Sequence, residues 1–369
     1  MGDARSGPSV PVEPSVPAAA SVTAGTAVPA VLTVDDLRRA VRAAEGILAE
    51  AGVPSARHDA EALAAWSLGL PRLEWYRLPA GDAPLAPALP AGATDRFLAD
   101  YADAVERRRG REPLQRIVGH TVFRHVTVEV LDDVFVPRPE TETVAQVAID
   151  EAARLRGDPE RADRPPLVVD LCCGSGVIGI SVDVEVPGSR VVAVDLSPEA
   201  VRATTANAAR VGSGTQRTLV GDVADPALLV ELDGTVDVVV SNPPYIPPDA
   251  VPVDPEVRDH DPDLALYGRG ADGLEVPRAV VHAAARLLRP GGLFVMEHAE
   301  VQAADVRAAA RAADAFVEVR TLTDLTGRDR MVVARRAGAA GAVGAAGAAG
   351  AAGAAGDPGS PHGRGRMDP

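Results

Sequence analysis

The chain has 369 residues, enough for about two domains, and its 46% apolar but only 3% aromatic content means a core built from Val, Leu and Ala. Its formal net charge is −15 and its 37 basic residues are all Arg; phosphate backbones are bound by neutralising cations, so this balance argues against DNA or RNA as the main partner. The two cysteines, adjacent at Cys172 and Cys173, supply no disulfide framework, and no apolar run approaches the roughly 20 residues of a bilayer span, which together point to a cytoplasmic, non-membrane chain.

Residues 1–31 are rich in Pro, Ala, Ser and Val and are predicted to be a disordered tail. They also lack the cationic start and unbroken apolar block of a signal peptide. "TVDDLRRAVRAAEGILAEAGV" then predicts a helix with Thr33 as N-cap, Asp36 at the third helical position, and Leu37, Val41, Ala44 and Leu48 on one face. Ser55 is predicted to cap a second helix running to Leu68, and "ATDRFLADYADAVERRR" gives another, so residues 32–110 read as a small helical bundle. The run Arg107, Arg108, Arg109 and Arg111 reads as a solvated helix end.

From residue 111 to 135 the alternation in "VFRHVTVEV" predicts a β-hairpin linker, and "VFVPRPETETVAQVAIDEAARL" reads as strand, loop and helix. Between 136 and 336, the apolar runs "PLVVDLCC", "RVVAVDL", "VDVVVSN" and "GGLFVMEH" are separated by helical stretches, as in a parallel sheet covered on both faces. Residues 337–369, mostly "GAA" triplets, are predicted to be a second disordered tail.

Four motifs fall at the carboxyl ends of predicted strands, where open α/β sheets bind ligands. In "VVDLCCGSGVIGI" a strand leads through a Gly-rich turn into a helix whose N-terminus offers free N–H groups. Gly174, Gly176 and Gly179 satisfy G-x-G-x-x-G, a pattern that a plain tight turn also satisfies. Asp195 ends the next strand, 19 residues after Gly176, where an acid can accept hydrogen bonds from both ribose hydroxyls; capping of the next helix falls to Ser197 and Pro198. Asp222 in "LVGDVAD" is placed to reach an adenine edge, although as a single loop acid it carries little weight alone.

The fourth motif, "SNPPYIP" at 241–247, follows the buried strand "VDVVV". The fixed φ of its prolines holds the Pro243 carbonyl in one direction, and neither proline has an N–H to turn inward. With the Asn242 side-chain carbonyl this makes two acceptors at a set separation, suited to one NH2 group, while the Tyr245 ring can lie against a planar substrate.

These motifs in this order resemble the class I S-adenosylmethionine-dependent methyltransferases that act on planar nitrogen. "EPLQRIVGHTVFRHVTVEV", "VFVPRPETE", "PEVRDHDPDLALYGRGADGL" and "DLTGRDRMV", with "AGVPSARHDAEAL" in the bundle, narrow the resemblance to the protein-(glutamine-N5) methyltransferases of peptide chain release factors, over roughly residues 33–335. The resemblance implies an α/β fold: a Rossmann-like, seven-stranded class I methyltransferase domain preceded by a substrate-recognising helical bundle.

It also implies methyl transfer from S-adenosyl-L-methionine to the Gln of a Gly-Gly-Gln motif, with release factors as partners and no metal. Cofactor binding is expected at Cys172, Cys173, Gly174, Ser175, Gly176, Asp195, Asp222, Val223 and Asn242. Substrate binding is expected at Asn242, Pro243, Pro244 and Tyr245, with Arg138 and Glu140 as further candidates or as a structural ion pair; Asn242, Pro243 and Tyr245 are the expected catalytic residues.

One departure from the family loop Asp-x-Gly-x-Gly-x-Gly is Cys172 in the first Gly position, where a side chain calls for ordinary φ. The rival readings are an adenine-N6 methyltransferase, which needs a basic target-reading domain; a nicotinamide-dependent oxidoreductase, which leaves "SNPPYIP" unexplained; and a non-catalytic nucleotide-binding module. If Asn242 acts only as an acceptor, Asn242→Asp is the milder change and Asn242→Ala the severe one.

Overall fold

The computed structural model describes residues 31–338 apart from Ala91; the predicted tails lie outside the described residues but for Val31, Ala337 and Gly338. The chain divides into two compact units, one ending at Val118 and one beginning at Gly119.

The first unit contains α1 (Val34–Glu50), α2 (Ala56–Ser67), α3 (Phe97–Arg109) and α4 (Leu114–Val118). At α1, Thr33 Oγ1 accepts from Asp36 N while Asp36 reaches back to Thr33 N, so two orphan N–H groups are satisfied together. Leu37, Val41, Ala44 and Leu48 are the buried face, as their spacing predicts. Ser55 does not cap α2 as expected: its hydroxyl is spent on Asp59 Oδ1 at 2.8 Å.

The arginine run corrects the sequence reading. Arg108 follows Tyr101, Ala104 and Val105 on the buried face of α3, and Arg108 Nε donates to Asp59 Oδ2 at 2.7 Å with both side chains almost fully enclosed. Arg107 pairs with Glu112, and Arg111 donates to the Gly52 carbonyl. Helical periodicity thus turns the middle of a charged run inward, where a buried guanidinium requires a buried partner.

The second unit opens with an antiparallel hairpin, β1 (His120–Phe123) and β2 (Val126–Glu129), whose Phe123, Val126 and Val128 enter this unit's core. Then come α5 (Thr141–Arg156), β3 (Leu167–Leu171), α6 (Val177–Glu185), β4 (Arg190–Asp195), α7 (Pro198–Val211), β5 (Arg217–Val220) and β6 (Val236–Ser241). Two short helices, α8 (Pro255–His260) and α9 (Asp263–Leu266), precede α10 (Glu275–Leu287), β7 (Leu288–Glu297), α11 (Ala303–Ala312), β8 (Phe316–Thr323) and β9 (Asp329–Arg336). The segment 134–136, read from sequence as a strand, forms no ladder; Pro137, which follows it, has no donor with which to continue one.

Seven strands make one sheet in the order β5-β4-β3-β6-β7-β9-β8, parallel except where β9 runs against β7 and β8. Every residue of β3 and β6 is buried. Side chains alternate between the faces: Val168, Val238 and Val240 pack with α5 and α6, while Val169, Leu171 and Val239 pack with α10 and α11. After β3 the chain builds outward through β4 and β5, then returns to place β6 on the other side of β3. That reversal opens a crevice at the carboxyl ends of β3 and β6, the usual place for a ligand in such sheets.

Candidate active site

A cavity of about 790 Å³ occupies this crevice, within the second unit. Its wall contains Cys172, Cys173, Gly174 and Ser175 from the turn after β3, Asp195 from the tip of β4, and Asp222 and Val223 after β5. Asn242, Pro243, Pro244 and Tyr245 after β6 also line it, as do Arg138 and Glu140. Gly176 is the expected cofactor residue that stands outside this wall. It is the N-cap of α6 at φ 84°, and a Cβ there would meet Thr204 Cγ2 at 2.7 Å.

The turn is tied to the neighbouring strand. Gly174 N donates to Asp195 Oδ2 and Ser197 N to Asp195 Oδ1, each at 2.9 Å. Burial pushes the Asp195 carboxyl up, and these backbone bonds oppose that shift. Behind the turn, Asp170 Oδ2 accepts from Gly179 N at 3.0 Å, fixing the start of α6; burial raises this carboxyl to about 7.

Cys172 is a second correction. It sits at φ 59°, in the left-handed region, rather than at the ordinary φ expected of a residue with a side chain. The turn keeps the backbone path of a glycine, so Cys172 is strained there. Burial first, then nearby carboxylates, push both thiols upward, so neither is a thiolate at neutral pH.

The "SNPPYIP" segment is gripped from behind. Gln302 Nε2 donates to the Tyr245 carbonyl at 2.8 Å, and Gly268 N donates to the Ile246 carbonyl at 3.1 Å. Gly268 comes so close that a Cβ would stand 2.6 Å from the Pro244 oxygen, which is why "YGRGADG" has glycine there. Ser241 Oγ donates to the Leu171 carbonyl at 2.7 Å, joining the tips of β6 and β3.

On the cavity side, Asn242 Nδ2 donates to Thr141 Oγ1 at 3.2 Å, and Tyr245 Oη donates to Glu297 Oε1 at 3.4 Å. Burial, and then Glu297, hold the Tyr245 phenol above its usual range. Arg138 is in an ion pair with Asp261 and lies over the Phe135 ring, 5.0 Å from its centroid. Arg138 is thus held by Asp261 while it lines the cavity, and Glu140 lines the same wall.

Among the wall residues that sequence reasoning missed are Thr141, Glu297 and Arg330. Glu297 ends β7, so the strand-tip logic that found Asp195 applied to it as well. Thr141 opens α5 immediately after "PRPE". Arg330 lies in the "DLTGRDRMV" stretch that helps carry the resemblance, but its place at the cavity depends on the antiparallel pairing of β9 with β7.

Residues 39–119 match the PrmC N-terminal domain, and residues 148–253 match the methyltransferase small domain. The release factor glutamine methyltransferase of Bifidobacterium longum is 42% identical over 300 residues, covering 80% of this chain and 97% of its own. That of Streptomyces coelicolor is 44% identical over 292 residues, covering 79% and 94%. A 4-amino-L-phenylalanine/4-methylamino-L-phenylalanine methyltransferase of Streptomyces pristinaespiralis is 46% identical over 208 residues, 56% of this chain and 68% of its own.

Proposed function

The chain belongs to the release factor glutamine methyltransferases, and from that premise we propose that it methylates the side-chain amide nitrogen of the Gln in the Gly-Gly-Gln motif of peptide chain release factors. S-adenosyl-L-methionine supplies an electrophilic methyl group carried on a sulfonium.

The residues present suit that cofactor. Gly174, at φ 57°, has nothing within 4 Å of where a Cβ would be, so the turn leaves room beside the cavity. Asp195 accepts backbone N–H bonds from Gly174 and Ser197, and we assign its remaining acceptor capacity to ribose hydroxyls. Asp222 Oδ1 caps Ala224 N at 2.9 Å; we assign its other oxygen to the adenine edge, with Val223 as an apolar wall.

An amide nitrogen is a poor nucleophile because its lone pair is delocalised into the carbonyl. Asn242 Oδ1 and the Pro243 carbonyl hold its two N–H groups, which aims the nitrogen. The same two acceptors stabilise positive charge growing on nitrogen as the N–C bond forms and the methyl–sulfur bond breaks. The nitrogen then gives one proton to solvent, leaving a neutral N-methyl amide. Tyr245 packs its ring against the planar substrate group.

The observation that carries this reading is the commitment of Asn242 Nδ2 to Thr141, which turns the carbonyl end of Asn242 to the substrate. Among the described residues no helix is long and apolar enough to cross a membrane. The free thiols of Cys172 and Cys173 support a reducing compartment, the cytoplasm. Incubation with a release factor and labelled cofactor, followed by mass spectrometry of the Gly-Gly-Gln peptide, tests the activity. An added methyl on that Gln is expected; label on DNA with an unmodified Gln overturns the reading.

A further inference from the structure

We propose that Thr141 and Glu297 are positioning residues that decide which end of the Asn242 amide meets the substrate. The inference rests on the reading that Asn242 Oδ1 grips the substrate amide. Three side chains from separate elements form one chain of hydrogen bonds: Asn242 Nδ2 donates to Thr141 Oγ1 at 3.2 Å, and Thr141 Oγ1 donates to Glu297 Oε2 at 2.8 Å. Tyr245 Oη approaches the other carboxylate oxygen at 3.4 Å, so one buried acid supports both polar side chains of the "NPPY" segment.

Proton counting sets the direction. A threonine hydroxyl has one proton, and an ionised carboxylate only accepts, so that proton goes to Glu297. Thr141 then offers Asn242 nothing but a lone pair, which only the NH2 end of the amide can use. Among the described residues Asn242 Oδ1 accepts no protein hydrogen bond, which leaves it for the incoming N–H groups.

A protonated Glu297 would reverse the chain. It could donate to Thr141, freeing the hydroxyl proton to point at Asn242, and the oxygen end of the amide would become its match. The amide would then turn and present N–H groups to the N–H groups of the substrate.

The groups facing Glu297 are Thr141 and Glu140 at the start of α5, Tyr245 after β6, and Arg330 on β9. Burial raises the Glu297 carboxyl, and so does Glu140; Thr141, Arg330 and Tyr245 lower it, with the balance at about 7. Arg330 is itself held by Asp324, at 3.1 Å, so its charge is fixed in place. Because the ionised form is the one that orients Asn242 correctly, the rate of methyl transfer rises with pH through about 7.

The test is single-turnover methylation of a release factor, with cofactor and protein substrate saturating, between about pH 5.5 and 8.5. It compares the wild type with Thr141→Val, Thr141→Ser and Glu297→Gln, with cofactor affinity measured by calorimetry. Thr141→Val is expected to lose about tenfold or more in rate, with cofactor affinity and the KM for release factor unchanged. Thr141→Ser, which keeps the hydroxyl, is expected to recover most of that loss. Glu297→Gln is expected to be slow and to lose the rise through neutral pH.

Thr141→Val at the wild-type rate, or Glu297→Gln with the wild-type pH rise, overturns the proposal. If Thr141→Val does not fold, the Glu297→Gln profile decides alone. A wild-type chain that leaves the release factor unmodified defeats the functional reading; a wild type that methylates beside indifferent variants defeats only the positioning role.

Discussion

The backbone N–H of Gly174 donates to the Asp195 carboxylate at 2.9 Å, so the Gly-rich turn after β3 and the acid at the tip of β4 are one unit. Asp195 therefore holds the turn, and the proposed function gives its remaining acceptor positions to ribose hydroxyls. Asp195→Ala is expected to weaken cofactor binding by about 1.5–3 kcal/mol, as for loss of hydrogen bonds to a charged acceptor, while the rate at saturation falls less. Asp195→Asn, which keeps one oxygen acceptor, is expected to fall between. Calorimetric dissociation constants for the three proteins check this, and an unchanged constant for the Ala variant refutes the ribose assignment.

Asn242→Ala is expected to fold, to bind cofactor, and to lose about 10²–10³-fold in single-turnover methylation, as when one preorganised polar group is removed. The structure revises the expectation for Asn242→Asp. An acceptor-only analysis makes Asp the mild change, but Asn242 Nδ2 donates to Thr141 Oγ1, and an ionised Asp has no donor to replace it. Its oxygen would face the Thr141 lone pair with the Glu297 carboxylate just beyond. At neutral pH the Asp variant is expected within about threefold of the Ala variant, because like charges in one site disfavour each other. A rate near wild type for Asp would show that the donor to Thr141 is dispensable.

Cys172 sits at φ 59°, where a side chain costs about 1–2 kcal/mol and glycine costs nothing. Glycine gives back about 0.5–1 kcal/mol through the freedom of the unfolded chain. Strain relief wins, so Cys172→Gly is expected to be at least as stable as the wild type. Cys172→Ala keeps the strain and loses the thiol packing, and is expected to lie about 1 kcal/mol below Cys172→Gly. Urea unfolding midpoints of the three proteins measure the order; Ala above Gly would contradict the left-handed assignment.

Glu151 on α5 accepts two hydrogen bonds from Arg335 on β9, at 2.6 and 3.0 Å, and two from Arg154. Burial alone would raise its carboxyl, but these arginines outweigh it and hold the pKa at about 2, below the ordinary 4.5. A depressed folded-state value means a stability contribution that is complete above the unfolded pKa. It is lost as pH falls through the folded one, between 4.5 and about 2. Glu151→Gln is expected to cost about 2 kcal/mol at neutral pH, with the gap to wild type closing as pH falls through that window. Urea unfolding of both proteins along a pH series checks the convergence; a constant gap down to the acid end would remove the carboxylate from this role.

The sequence by itself determined which short stretches line the cavity, because each is local. A buried strand, its tip residue and the following turn are contiguous, so "DLCCGSG", Asp195 and "SNPPYIP" could each be placed at a strand end from apolar runs and breakers alone. The alternation of strands and helices likewise made the parallel sheet legible, and Thr33 with Asp36 announced the start of α1.

Only the tertiary structure decided what joins those stretches. Arg108 turned from surface charge into a buried ion pair because helical geometry aims it at Asp59, 49 residues away. Cys172 kept the φ of a glycine because the turn is pinned on both sides, by the Ser241–Leu171 bond and by Asp195. Thr141 meets Asn242 and Glu297 across 101 and 156 residues. No local pattern encodes that meeting; it exists because the sheet reverses at β3 and brings the carboxyl ends of β6 and β7 over the start of α5, where one threonine proton can be given to only one partner.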